Sequence, residues 1–332
     1  MRLSLREAHL KLWRAVRATQ TSRRRRLITG GIVSALSLVF LSVALYTQRA
    51  TLVTHLREAN GWLMLLALIG YPVGLMPVAF VWHEIMSGLG GCRDLRTNLH
   101  NYAVSAIPKR IPGAIWHVAS RVVLYDACGV SPTLTVSATA IEALLLILTG
   151  LALFAILVLA GEIQLRADLG RIVALLAIPT LVAMILAWKT LMRRFLALLG
   201  IDAEGVVGLT LGPPQLARVA AICVVSWLGG GVLLFLMSRA FIAVPYQKLS
   251  TFVGIWGGAG AVSLVAGYLV QGLGLREITL TVLLAGYMPL SVAVAVALLF
   301  RLLLSVGEFV WAVVLARLSA GPVDHPKVLL MR

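Results

Sequence analysis

Apolar positions along this chain gather into long unbroken runs separated by short polar, Gly- and Pro-containing breaks. The runs cover about 27–47, 61–86, 132–160, 172–188, 216–237, 251–272 and 290–318. At 1.5 Å rise per residue, a helix of roughly 20 residues spans the ~30 Å hydrocarbon layer of a bilayer, so each run reads as a membrane helix. Two shorter apolar stretches, at roughly 111–127 and 275–288, are flanked by Gly or Pro and read as re-entrant or broken helices. The predicted fold is an all-α polytopic membrane protein of about eight membrane segments, two of them short, with six to nine full crossings allowed by the pattern.

Composition strengthens this reading. Of the 332 residues, 60% are hydrophobic and only 13% charged, against ~25% charged in an average soluble domain. A soluble globular protein is excluded. The expected organisation is a basic tail over 1–26, a membrane domain over 27–319 and a short tail over 320–332. In the first tail Leu5, Leu12, Trp13 and Val16 can share a helical face, as in an interfacial amphipathic helix; the alternative is an unstructured basic tail. The run after it is too long, with too long a charged region before it, for a cleavable signal peptide.

The net charge of +16 sets topology rather than marking nucleic-acid binding, because the cations sit between apolar spans. If 105–128 is a re-entrant hairpin, the tail cations, Arg93, Arg96, Lys109, Arg110, Lys189, Arg193, Arg194 and Arg218 share one side. Arg49, Arg57, Arg166, Arg171, Arg239 and Lys248 then lie on the other. The richer side is expected to be cytoplasmic, with the N-terminus on it, in the cell membrane. Thr251 to Met288 is one crossing plus a second re-entrant helix, a single broken hairpin entered from outside, or two full crossings; the tail cations Arg317, Lys327 and Arg332 favour the latter two. Three unpaired cysteines and six scattered histidines give no disulfide framework and no metal-ligand spacing.

Two stretches share an order of features. Pro112-Gly113, a short helix with Arg121, a corner at Gly129 and Pro132, and a long helix with Glu142 are followed later by a counterpart. That counterpart runs Gly272-Leu273-Gly274, a short helix opening at Arg276-Glu277, a corner at Gly286 and Pro289, and a long helix with Arg301. Paired broken segments in two halves point to a substrate site near the membrane midplane; chance likeness of two punctuated hairpins is the alternative.

Charge inside the apolar runs is expensive, ~2.5–3.5 kcal/mol at the bilayer centre on insertion scales, so each such residue needs a partner or water. Thr135, Thr139, Glu142 and Thr149 recur on one helical face, which is expected to look inward; Arg301 and Glu308 share a face on the last helix. Glu142 and Arg301 are expected to approach one another across a cavity, either as a structural ion pair or as the lining of a headgroup path. Lys109 and Arg110, between Pro108 and Pro112-Gly113, precede a helix N-terminus and form a candidate phosphate cradle, or an interfacial loop that only sets topology. His117 follows in the short helix. His83-Glu84 lacks a neighbouring nucleophile or second carboxylate, and the glycine clusters at 229–231 and 257–260 are not nucleotide loops. No cofactor, metal or ATP site is expected.

The stretches IPKRIPGAIWHVASRVVLYDACGVS and GLGLREITLTVLLAGYMPLSVAVAVALLFRLLLSVGE resemble the transmembrane, flippase-like domain of lysylphosphatidylglycerol synthases and its stand-alone relatives. Pro112-Gly113, Glu142, the element Gly274-Leu275-Arg276-Glu277 and Arg301 carry the likeness; the family's Pro-Gly-Gly before the second short helix is absent at Gln271-Gly272-Leu273-Gly274. The soluble aminoacyl-transferring domain of the full synthases is not expected here, so the resemblance implies lipid binding or translocation rather than lysyl transfer.

The expected function is therefore binding and translocation of an anionic phospholipid or polyprenyl-phosphate-linked lipid. Its headgroup would occupy a wet cavity lined by Lys109, Arg110, Pro112, Gly113, His117, Arg121, Glu142, Gly274, Arg276, Glu277 and Arg301. The alternatives are an intramembrane lipid-modifying transferase and a non-transporting membrane subunit for a soluble partner. Partners are accordingly an anionic lipid and a soluble or membrane lipid-modifying enzyme, with no nucleic acid.

Overall fold

The computed structural model describes residues 49–106, 115–163, 211–269 and 274–319, with isolated positions elsewhere. Every regular element among them is helical. The helices are α1 (Arg49–Glu58), α2 (Gly61–Gly88), α3 (Leu95–Ala106), α4 (Ile115–Asp126), α5 (Pro132–Leu159), α6 (Pro213–Arg239), α7 (Leu249–Leu269), α8 (Leu275–Leu284) and α9 (Leu290–Ser319). Five are long and apolar enough to cross a membrane: α2, α5, α6, α7 with the 3-10 turn before it, and most of α9. The expected first span at 27–47, the run at 172–188 and both tails lie outside the described residues.

Local chemistry sets the boundaries. Asn60 caps α2 by accepting from the amides of Trp62 and Leu63, and Ser131 caps α5 ahead of Pro132, where the missing amide costs nothing. Pro213 opens α6 in the same way. The N-cap of α8 is Gly274 at φ +97, a left-handed conformation in which a side chain would be strained. The expected short helices are both present, α4 with 12 residues and α8 with 10. At about 18 and 15 Å neither can cross a bilayer alone.

One helix departs from expectation. The segment 87–110 reads in sequence as a polar connection, yet α3 occupies its middle and buries Asn98, Asn101, Tyr102, Ala103, Ser105 and Ala106. It packs on α2, α4 and the last helix, α9. Asp94 starts it by accepting from the amide of Thr97 at 2.7 Å and from the Thr97 hydroxyl, and those bonds hold its carboxyl below the ordinary Asp range.

Contacts at the helix ends give the bundle two poles. The upper pole holds the start of α2 and the end of α6, joined where the Asn60 amide donates to the Ala240 carbonyl at 2.7 Å. The Glu162 carbonyl, beyond α5, accepts there from Thr251 of α7 at 3.0 Å and from Tyr287 at 3.4 Å. The lower pole holds the end of α2 and the start of α6, where Gln215 donates to the Glu84 carbonyl at 3.1 Å. Asn98, near the start of α3, accepts there from Tyr125, at the end of α4, at 2.7 Å. The α3–α4 hairpin thus begins and ends at the lower pole, while the segment from α7 through α8 begins and ends at the upper one.

The core has two apolar clusters. One, built around Trp82, Met86, Tyr125, Ile141, Leu145 and Cys223, occupies the lower half. The other, around Leu234, Phe235, Phe252, Trp256, Leu284 and Phe300, occupies the upper half. Glycine lets backbones meet in the upper cluster: a Cβ on Gly231 of α6 would lie 2.4 Å from the Val253 Cα of α7.

Candidate functional site

A cavity of about 400 Å³ lies between the two clusters, with lining residues drawn from both. α2 supplies Tyr71 and Gly74, α3 Tyr102, α4 His117, and α5 Glu142 and Leu146. From α6 come Ser226, Trp227 and Gly230, from α7 Trp256, Gly260 and Ser263, from α8 Arg276, and from α9 Leu304 and Glu308. The volume falls in the range of small-molecule sites.

Glu142 does not meet Arg301. Its carboxylate receives Nη1 of Arg121, and both side chains are almost fully buried. The Arg121 guanidinium lies 3.9 Å from the centre of the Trp82 ring and 4.8 Å from that of Tyr102, and its Nε donates to Ser105 Oγ at 3.3 Å. A cation so enclosed by π faces, a carboxylate and a hydroxyl is held in place. Arg301 instead bonds Glu277 at 3.0 Å. The physical reason is adjacency: α4 packs directly on α5 and α8 directly on α9, so each long helix finds its counter-charge on the short helix before it. The two hairpins repeat this arrangement with the sign reversed, Arg then Glu in the first and Glu then Arg in the second.

The pairing also decides which charges meet the cavity. Arg121 faces the aromatic side of its helix and Arg301 faces Glu277, and neither lines the cavity. The charged lining among the described residues is Glu142, Glu308 and Arg276, so it is mixed in sign rather than cationic. Arg276 lies 3.9 Å from the Trp256 ring centre, and Trp256 meets Phe300 edge-on at 5.0 Å. Thr135, Thr139 and Thr149 are buried as expected, but their hydroxyls donate to carbonyls one turn back on α5. Thr149 also accepts from the Trp227 indole at 3.1 Å.

Of the expected residues, His117, Glu142 and Arg276 come together in the cavity wall, Glu277 and Arg301 pair behind it, and Gly274 shapes the start of α8. Lys109, Arg110, Pro112 and Gly113 lie outside the described residues. Sequence reasoning missed Tyr71, Tyr102, Trp227 and Trp256; the two Trp residues stand beside the glycine clusters at 229–231 and 257–260, which was the available signal. It also missed a directed chain at the lower pole. The Trp82 indole donates to Tyr125 at 2.6 Å, Tyr125 to Asn98, and the Asn98 amide to the Cys92 carbonyl at 2.8 Å, with His83 Nδ1 at 2.9 Å. Among the described residues no three His, Cys, Asp or Glu side chains group as a metal site.

Compared with known protein families and with curated proteins, the chain matches none.

Proposed function

We propose that this chain is a flippase-like membrane protein that binds a phosphate-bearing lipid and carries its headgroup through the intramembrane cavity while the tail stays in the bilayer. The observation that carries this reading is the cavity itself: ionic and aromatic groups line a headgroup-sized space enclosed by helices of membrane-crossing length. Arg276, spread on the Trp256 face, is the cation offered to a phosphate. Glu142 and Glu308, with Tyr71, Tyr102 and Trp227, suit a hydroxyl- or amine-bearing remainder of the headgroup. Apolar side chains such as Ile69, Val73 and Leu302 face outward, where acyl chains would run.

The two hairpins entering from opposite poles, each closed by its own ion pair, support the internal repeat, and an inverted pair of this kind suits alternating access to one central site. The lower pole, with Arg93, Arg96 and Arg218, is proposed to be cytoplasmic. The sequence resemblance to the lysylphosphatidylglycerol synthase membrane domain points the same way.

The test is leaflet exchange by the purified chain in phosphatidylcholine vesicles carrying a minority of labelled phosphatidylglycerol. Wild type is expected to accelerate exchange, and Arg276→Ala to slow it at least about tenfold, the ~1.4 kcal/mol of one charge-assisted bond. Headgroup conversion in the same vesicles would favour the transferase instead.

A further inference from the structure

Aromatic rings at the upper pole stand in a row. Between ring centres, Tyr246 meets Phe235 at 6.2 Å, Phe235 meets Phe252 edge-on at 5.6 Å, and Phe252 meets Tyr287 at 6.4 Å. Each end of the row carries a cation. The Arg239 guanidinium lies 3.6 Å from the centre of the Tyr246 ring and 5.7 Å from that of Phe235, and the Lys248 amine lies 5.9 Å from that of Tyr287. Phe235 and Phe252 are buried, so the row is rooted in the core, while Tyr246 opens to the outside. Among the described residues neither cation joins an ion pair. The carbonyl of Glu162 accepts from Tyr287, and its carboxylate accepts from the Ser250 hydroxyl at 2.9 Å. A cation held by a π face rather than by a carboxylate keeps its charge available to an anion.

Position says which anion. Arg239 is the last residue of α6 and Lys248 closes the 3-10 turn before α7, so both sit at the ends of helices of membrane-crossing length, at headgroup level. We propose that Arg239 and Lys248 form an entrance patch that gathers anionic phospholipids, by their phosphates, from the leaflet at the upper pole and passes them to the cavity. α7 supplies the path. Lys248, Phe252 and Trp256 recur every four residues along one side of it. Trp256, about 12 Å further in than Lys248, lines the cavity and carries Arg276 at 3.9 Å from its ring centre. All three cations are thus presented on aromatic rings, two at the surface and one inside. Setting orientation does not account for the first two, because this pole is the one proposed to face away from the cytoplasm, where Lys and Arg are scarce.

This inference rests on the lipid-carrying reading and deepens it by giving the cavity an entrance and its cargo a sign of charge. Full-length protein in phosphatidylcholine vesicles of uniform orientation is supplied with labelled phosphatidylglycerol in the leaflet at the upper pole. Arg239→Ala and Lys248→Ala should each raise the half-saturating lipid fraction about fivefold, with a smaller loss of maximal rate than Arg276→Ala shows. The charge-keeping Arg239→Lys and Lys248→Arg should restore most of the difference. Equal half-saturation in wild type and both Ala variants would overturn the patch. Native mass spectrometry of the purified chain with added phosphatidylglycerol reads retention without transport. The variant carrying both Ala substitutions should hold fewer lipids than wild type. An unchanged count overturns the patch, and so does displacement of the lipid by inorganic phosphate, which would mark a site for a free anion. If the count falls while wild type exchanges no lipid, the patch stands and the lipid-carrying reading is the one that fails.

Discussion

Arg121 and Glu142 form the contact with most at stake. Replacing either by a neutral isostere leaves the other charge among Trp82, Tyr102 and the apolar wall of α5, and should cost about 3–5 kcal/mol. Replacing both with apolar residues of similar volume should cost less. Thermal unfolding in detergent across Arg121→Met, Glu142→Met and the double variant is expected to show strong coupling. Glu142→Met with Arg301→Met should instead be additive within about 0.3–0.5 kcal/mol, since those residues sit in separate pairs. Additivity in the first cycle and coupling in the second would reverse the assignment. Which acid meets which base was not legible in the sequence. Spacing along α5 and α9 identified Glu142 and Arg301 as inward-facing, but ion pairing depends on which helices touch, and that is a tertiary fact.

At the scale of elements, the long apolar runs were legible because a helix that must satisfy its own backbone in lipid needs a continuous apolar stretch of fixed length. The boundaries at Asn60, Ser131 and Pro213 follow from capping chemistry. α3 was not legible by hydropathy, since its buried face is made of Asn98, Asn101, Tyr102 and Ser105, of which Asn98 bonds His83 of α2 and Tyr125 of α4 and Ser105 accepts from Arg121 of α4. Its one local signal was Asp94 three residues before Thr97. That cap gives a pH-dependent prediction. Hydrogen bonds depress the Asp94 carboxyl in the folded state, so its contribution is complete above the ordinary Asp pKa of about 3.9 and is lost as pH falls through the lower folded value. Amide exchange in α3, corrected for intrinsic rates, should speed up as the solution is acidified below about pH 4. In Asp94→Ala it should be faster at neutral pH by about 1 kcal/mol of protection and lack the acid step. An unchanged step in the variant would show that another group controls it.

For the whole molecule, the property to test is that α3 and α4 begin and end at one pole while the segment from α7 through α8 begins and ends at the other. Cys128 is exposed at the lower pole beside Asn101 of α3, and Tyr246 is 72% exposed at the upper pole between α6 and α7. If the poles are the two faces of a membrane, a membrane-impermeant maleimide must reach these positions from opposite sides. The other native thiols do not confuse the result: Cys223 is buried, and Cys92 shares the lower pole, where burial raises its thiol and so lowers its thiolate fraction. In sealed vesicles of uniform orientation, Cys128 and a Tyr246→Cys introduced with Cys92 and Cys128 replaced by Ser should label from different compartments. With the lower pole cytoplasmic, Cys128 should resist external reagent in intact cells and Tyr246→Cys should accept it. Labelling of both from one compartment would mean that α6, which joins the two poles, does not cross, and the proposal of alternating access to one central cavity would lose its geometric basis.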